Sequence, residues 1–147
     1  MPVYPRAGGW KNPSPDEIYR ILQNSKTIAV VGLSPDPDRP SNRIANYLQL
    51  QGYRVIPVNP GIAEALGEKS YPDLRAIPEP IDIVDIFRRP SAAPQITKAA
   101  VEIGARAVWM QEAVVSPEAF RLGEKAGLLM VMDRCMLKEH RRLFSGQ

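Results

Sequence analysis

The chain contains one cysteine, one histidine and no long apolar run. A single cysteine, Cys135, cannot form an internal disulfide, and it excludes metal sites built from several cysteines. A membrane-spanning helix needs about 20 consecutive apolar residues, and no segment approaches that length. The first residues also lack the apolar core of a secretion signal. We therefore expect a cytoplasmic protein with no membrane partner and no metal site.

Positive charge is in small excess, and it is dispersed along the chain. The formal net charge is +3, and the ten aromatic residues do not cluster around the two basic pairs, Arg88-Arg89 and Arg141-Arg142. Proteins that bind nucleic acid usually carry a basic stripe with interleaved aromatic residues. The composition thus argues against nucleic acid as a partner and suits a small anionic ligand, although ordinary solvated surface charge explains it equally well.

The 147 residues are the length of one domain, which we assign to residues 1–147. Residues 1–13, rich in proline, glycine and polar groups, are predicted to form an N-terminal loop extension. The chain has 15 prolines, and most fall between short apolar runs, where they punctuate secondary structure. These runs alternate with amphipathic helical segments. The pattern predicts an α/β fold, a Rossmann-like three-layer sandwich with a mostly parallel sheet of about five strands.

The predicted strands are short and apolar without alternation, as expected when both faces are covered. They comprise residues 27–32, 54–58, 81–87, 107–110 and 128–132, with a brief strand near 70–71. Helices are predicted to begin at a capping box formed by Ser14 and Glu17, at Ser41, at Ser91, at Ser116 and near Leu137. Since Pro57 lacks an N–H group, its strand is expected at an edge of the sheet.

Ligands of open parallel sheets bind beyond the carboxyl ends of the strands. Five short segments occupy that position in the predicted order, namely residues 32–41, 59–61, 87–90, 111–113 and 133–135. Polar residues gather in these segments. Their predicted co-location indicates a binding site along one edge.

The first of these segments has the composition of a phosphate-binding turn. Gly32 permits close approach of the backbone, Ser34 and Ser41 offer hydroxyl groups, and Arg39 offers a forked cation. The helix that begins near Ser41 supplies free N–H groups and the positive end of its dipole. A capped turn that binds nothing is the alternative interpretation.

Two features expected of an NAD site are missing. The glycine pattern G-x-G-x-x-G is absent, because Gly32 is the only glycine of its loop. NAD-binding domains place an acidic residue after the second strand to hold the ribose, whereas this chain has Val58, Asn59 and Pro60 there. These departures argue against NAD and for a nucleotide with an extra phosphate, either NADP or coenzyme A.

Several motifs, in order along nearly the whole chain, resemble the small CoA-binding proteins. They are TIAVVGLS at 27–34, RPS at 39–41, VIPVNPG at 55–61, DIFR at 85–88, WMQ at 109–111, MDRC at 132–135 and EH at 139–140. That family is in turn similar to the CoA-binding domain of the succinyl-CoA synthetase α subunit. The resemblance implies a Rossmann-like domain that holds coenzyme A.

The resemblance also implies where the parts of coenzyme A would lie. The pyrophosphate would contact Gly32, Leu33, Ser34, Arg39, Pro40 and Ser41. The adenosine would lie near Val58, Asn59 and Pro60, with Phe87 and Arg88 flanking the nucleotide. The pantetheine arm would run toward Gln111 or toward Asp133, Arg134 and Cys135.

We predict binding of CoA or an acyl-CoA, with no assignable catalytic residue, by a monomer or weak homo-oligomer. Alternatives are an NADP-linked oxidoreductase and a CoA-ligase-like subunit, although no phosphohistidine loop is recognisable. A DNA-binding redox sensor would need a winged helix, for which no residues remain.

The remaining reactive residues have ordinary structural explanations. His140 suits a general base, but packing of a terminal helix is the favoured role. Cys135 is expected to be a buried apolar side chain rather than a partner for the CoA thiol. A carboxylate pair of Glu112 and Asp133 competes with simple loop hydrogen bonds, and Thr97 is expected on a helix away from the site.

Overall fold

The computed structural model describes residues 10–145, which contain five α-helices around one central sheet. The helices are α1 (Pro15–Asn24), α2 (Pro40–Leu50), α3 (Ala93–Glu102), α4 (Pro117–Lys125) and α5 (Met136–Phe144). The strands are β1 (Thr27–Val31), β2 (Arg54–Val58), β3 (Glu64–Ala65), β4 (Glu68–Lys69), β5 (Ile83–Ile86), β6 (Ala107–Met110) and β7 (Leu129–Val131). None of the helices in this range is long and apolar enough to cross a membrane.

The central sheet has five parallel strands in the order β2-β1-β5-β6-β7. β3 and β4 form a separate antiparallel pair that the sequence did not predict. Strand order reverses between β1 and β5, and such a switch point is where doubly wound sheets bind ligands. The Rossmann-like fold predicted from the sequence is confirmed.

Both faces of the sheet are covered, which explains the unbroken apolar strands. α3 and α4 bury one face, where Phe120 of α4 packs with Ile86 and Met110. α1, α2 and α5 bury the other face, where Leu48 of α2 packs with Val30 and Trp109. Helices on both sides make a three-layer sandwich and leave the strand ends as the accessible edge.

Local sequence signals set several element ends as predicted. Ser14 Oγ accepts from Glu17 N at 3.2 Å, and Glu17 Oε1 accepts from Ser14 N at 3.0 Å, which completes the capping box. β2 is an edge strand of the sheet. The Pro57 carbonyl accepts from Tyr71 N on the outer side, so its missing N–H interrupts no pairing with β1.

The helix predicted near Ser41 begins one residue earlier, and the cap predicted at Ser91 was wrong. α2 begins at Pro40 behind Arg39, which provides no side-chain cap, and Ser41 lies inside its first turn. Ser91 lies in a 3-10 turn, Pro90–Ala92, and α3 follows at Ala93 without a side-chain cap. In both cases proline fixes the first turn without a capping hydroxyl.

The predicted N-terminal loop lies partly outside the described residues, since 1–9 are not among them. Residues 10–13 form no helix or strand, but they are firmly attached. Trp10 is buried against Phe120, with ring centroids 5.6 Å apart. Asn12 donates to the Met132 carbonyl at 2.9 Å and accepts from Met132 N at 2.8 Å. This pair of bonds anchors the segment at the carboxyl end of β7.

Candidate functional site

Gly32 follows β1 at the switch point, and only glycine fits there. Its φ of +90° lies in the left-handed region, and its N–H donates to the Val58 carbonyl at 2.9 Å. A Cβ atom on Gly32 would lie 2.4 Å from the Phe87 carbonyl oxygen. The turn thus packs directly against the ends of both neighbouring strands.

The loop after Gly32 is held in shape from two sides. Ser34 N donates to Ser41 Oγ at 3.0 Å, and Asn42 Nδ2 donates to the Ser34 carbonyl at 2.8 Å. Asn59 Nδ2 donates to the Leu33 carbonyl at 3.0 Å. The hydroxyl of Ser41 therefore fixes the loop. These bonds preorganise the turn without a ligand.

Two arginines flank this turn with free charges. In the part of the chain that the structure describes, the guanidinium groups of Arg39 and Arg88 make no hydrogen bond or ion pair. Arg88 Cδ lies 3.0 Å from the Cβ position of Gly32, so its side chain covers the turn. Ser41 N lies in the first turn of α2, where an N–H has no intrahelical acceptor. This set of donors suits an anion.

A cavity of about 290 Å³ opens beside the turn, beyond the ends of β1 and β2. Its walls include Val31, Val58, Pro60 and Arg88, together with residues of the 3-10 turn Leu74–Ala76 and of α3. Apolar walls with one free cation at the rim can receive a flat ring that carries a phosphate.

The other predicted site residues form a second group along the same edge. Gln111 Nε2 donates to Asp85 Oδ1 at 2.6 Å. Asp133 accepts from Ala113 N at 2.7 Å. Arg134 donates to the Asp133 carbonyl at 2.8 Å.

The fourteen predicted positions therefore fall into two groups at the carboxyl ends of the strands. The first surrounds the turn and comprises Gly32, Leu33, Ser34, Arg39, Pro40, Ser41, Val58, Asn59, Pro60, Phe87 and Arg88. The second follows β6 and β7 and comprises Gln111, Asp133 and Arg134. The side chain of Leu33 is fully buried in the core, so only its backbone faces the loop.

Asp85 is a buried ionisable group that contacts Gln111 of the second group. It is fully buried on β5, and its second oxygen, Oδ2, has no hydrogen-bond partner among residues 10–145. Burial raises the pKa of the Asp85 carboxyl to about 7, and the hydrogen bond from Gln111 opposes that rise. The carboxyl is thus mostly protonated, and therefore neutral, at pH values well below 7.

Sequence reasoning missed two polar anchors, Asn42 and Asn12. Asn42 lies in the first turn of α2, where a short amide next to Ser41 is a recognisable signal for loop contacts. Asn12 contacts Met132 across 120 positions of sequence. No local sequence pattern predicts a contact over such a separation.

His140 and Cys135, two residues with reactive side chains, are engaged in packing. Tyr47 Oη lies 2.8 Å from His140 Nδ1, and the His140 ring stacks on Phe144 with centroids 4.2 Å apart. Burial lowers the pKa of His140. Cys135 is buried, which raises the pKa of its thiol. The packing role favoured for His140 agrees with this geometry.

Glu112 and Asp133 are bonded to different partners. Glu112 pairs with Lys138 at 3.0 Å, while Asp133 accepts from the backbone. Thr97 lies on α3 as expected, but its side chain is fully buried. Within residues 10–145, no cluster of three potential metal ligands occurs.

Comparison with known proteins gives a consistent picture. The model of the CoA binding domain matches residues 26–141, which span both groups of site residues. The uncharacterized protein YneT of Bacillus subtilis is 45% identical over 130 residues, or 88% of this chain and 96% of YneT. A structure described as a hypothetical protein from Pyrococcus horikoshii has a TM-score of 0.88 and 39% identity, with 99% of each chain covered.

A more distant match connects the chain to CoA ligases. It is 26% identical over 121 residues to an ADP-forming acetate–CoA ligase of Archaeoglobus fulgidus. That match covers 76% of this chain and 18% of the ligase. The resemblance derived from the motifs is confirmed: the chain belongs to the CoA-binding domain family.

Proposed function

We propose that this protein binds coenzyme A or an acyl-CoA along the carboxyl edge of its sheet. The observation that carries the proposal is the Gly32 turn. The side chain of Arg88, whose guanidinium is unpaired in residues 10–145, and the first turn of α2 behind Arg39 lie there, beside a cavity of about 290 Å³. Membership of the CoA-binding domain family supports the same ligand.

The donors around the turn fit the charges of coenzyme A. The pyrophosphate would lie over residues 32–41, where Ser41 N and Arg39 supply donors. The adenosine would occupy the cavity between Val58 and Pro60, with Arg88 at its rim for a further phosphate. A guanidinium binds phosphate through two parallel hydrogen bonds.

The end of β2 favours CoA over NAD. A dinucleotide site needs a carboxylate there for the ribose hydroxyls. Asn59 occupies that place, and its amide is already used: Nδ2 donates to the Leu33 carbonyl, and Oδ1 accepts from Gly61 N at 2.9 Å. Asn59 thus serves the loop, and it offers no carboxylate for the ribose hydroxyls.

Binding without catalysis is the role that the edge supports best. A general base must reach the reacting atom, and the side chains with suitable chemistry are either engaged elsewhere or, like Asp85, fully buried. His140 is bonded to Tyr47, and Glu112 to Lys138. The pantetheine arm would then run past Gln111 toward Arg134.

Isothermal titration calorimetry with CoA, NADP and NAD tests the proposal. We expect CoA to bind with a much higher affinity than NADP or NAD. Arg39→Ala should weaken CoA binding by roughly 1.5–3 kcal/mol, because it removes a charge-assisted contact. Lys98→Ala is the matched control, since Lys98 is exposed on α3. Preference for NADP would overturn the proposal in favour of an oxidoreductase, and an unchanged affinity of Arg39→Ala would remove Arg39 from the site.

A further inference from the structure

A second, larger cleft lies at the far end of the same edge. Its volume is about 650 Å³, and it is lined by residues of the N-terminal segment, of α1 and α5, and of the loops after β6 and β7. Its apolar lining is limited to Pro13, Pro15 and Ile18.

The cleft is lined by equal numbers of positive and negative side chains, but not all of them form ion pairs. Three cations and three carboxylates line it: Lys11, Arg134, Arg142, Glu112, Asp133 and Glu139. Glu139 pairs with Arg142 at 2.7 Å and Glu112 pairs with Lys138, whereas Asp133 accepts a backbone N–H at Oδ1 and makes no ion pair in residues 10–145. The carboxylates therefore leave two cations without a partner carboxylate in the cleft.

Those two cations are Arg134 and Lys11. In the described residues, the Arg134 guanidinium makes one hydrogen bond, to a backbone carbonyl, and retains four of its five N–H donors. The Lys11 ammonium makes neither a hydrogen bond nor an ion pair in residues 10–145. The bonds between Asn12 and Met132 hold Lys11 at this end of the sheet.

The cleft lies at a distance from the Gly32 turn that suits the arm of coenzyme A. β7 is three strands away from β1, which corresponds to about 14 Å at the usual strand spacing. A pantetheine arm of a dozen bonds extends to about 15 Å. The turn leads into α2, which covers the same face as α1 and α5. A thioester held from the turn would thus present its acyl group to the cleft.

We infer that the cleft selects an acyl-CoA whose short acyl group ends in a carboxylate, with Arg134 and Lys11 as its receptors. The inference rests on the proposed function, because the cleft receives the acyl group only if the turn holds the nucleotide. A guanidinium fork matches a carboxylate in geometry as well as charge.

Calorimetry with three stable thioethers tests the selection. S-(3-carboxypropyl)-CoA and S-butyl-CoA have the same number of acyl-chain carbons and differ in the terminal charge, and S-octyl-CoA tests for an aliphatic site. We expect the carboxylated analogue to bind at least about tenfold more tightly than the butyl analogue. Equal affinities, or tighter binding of the octyl analogue, would overturn the inference.

A mutant cycle assigns the preference to the cleft. In Arg134→Gln, the affinity ratio of the carboxylated to the butyl analogue should fall toward one. Both analogues share the CoA portion, so any effect of the variant on binding of that portion cancels in the ratio. Lys11→Gln should reduce the ratio as well, and its exposed position protects the fold. Lys98→Gln on α3 should leave the ratio intact. An unchanged ratio in both cleft variants would overturn the assignment.

The outcome for CoA itself separates the two proposals. If CoA binds but the terminal carboxylate adds nothing, the inference about the cleft fails while the proposed function stands. If neither CoA nor any analogue binds, the proposed function fails and the inference fails with it.

Discussion

Replacement of Asp85 by asparagine should change how stability depends on pH. Asp85 is fully buried on β5, and its carboxyl makes one side-chain hydrogen bond, from Gln111 at 2.6 Å. Asparagine has nearly the same shape and can accept the same bond through its own oxygen. It cannot ionise, so the substitution removes the titration and little else.

The size of the effect follows from the pKa of the buried carboxyl. Burial raises the pKa of Asp85 from 3.8 to about 7, and each unit of difference is worth about 1.4 kcal/mol. Between these values the unfolded chain releases the proton while the folded protein retains it. Stability from this group is therefore fully present below pH 4 and is lost as the pH rises toward 7. The loss amounts to about 4 kcal/mol.

Urea unfolding at a series of pH values from 4 to 8 measures this term. The unfolding free energy of Asp85→Asn, relative to that of the wild-type protein, should rise by up to about 4 kcal/mol between pH 4 and pH 8. Asp82→Asn is the control for the exchange itself, because the half-buried carboxylate of Asp82 accepts from the backbone of Lys26 and Thr27. A difference between wild type and Asp85→Asn that stays constant from pH 4 to 8 would refute the reasoning.

Three further substitutions test the packing of the fold, each by denaturant unfolding. Gly32→Ala should lower the free energy of unfolding by more than about 2 kcal/mol, because a carbonyl oxygen lies 2.4 Å from the new Cβ. Gly52→Ala, at a φ of +98° with open space around it, should lower it by only about 1 kcal/mol. Equal costs would contradict the close approach. Asn12→Ala should lose about 1–3 kcal/mol with its two bonds to Met132, and no loss would mean that the segment is not anchored. Thr97→Val should stabilise by about 1 kcal/mol, since the buried Thr97 hydroxyl has no partner in residues 10–145; destabilisation would reveal a partner.

Local signals in the sequence predicted the elements and the edge at which the site residues gather. Apolar runs without alternation identified the parallel strands, and Pro57 identified the edge strand. Because parallel strands all end at one edge, the residues after them could be grouped before any contact was known. The motifs then identified the family.

Contacts between distant parts of the chain could not be predicted. Gln111 and Asp85 are 26 positions apart, and their bond depends on the register of β5 against β6. The serine pattern was also misleading at Ser91, because proline at the first turn replaced the expected hydroxyl cap. The free donors of Arg134 became visible only with the positions of the neighbouring carboxylates known.

Ligand binding at the carboxyl edge is tested most directly by amide NMR during a titration with CoA. The largest shift changes should occur at Gly32, Ser34 and Ser41, and at Arg88 across the switch point. The opposite edge provides the contrast, because a cavity of about 420 Å³ lies there beside Gly52, Tyr53 and His140. Shift changes concentrated around Gly52 and Tyr53, with the Gly32 turn unaffected, would contradict a CoA site at the strand ends.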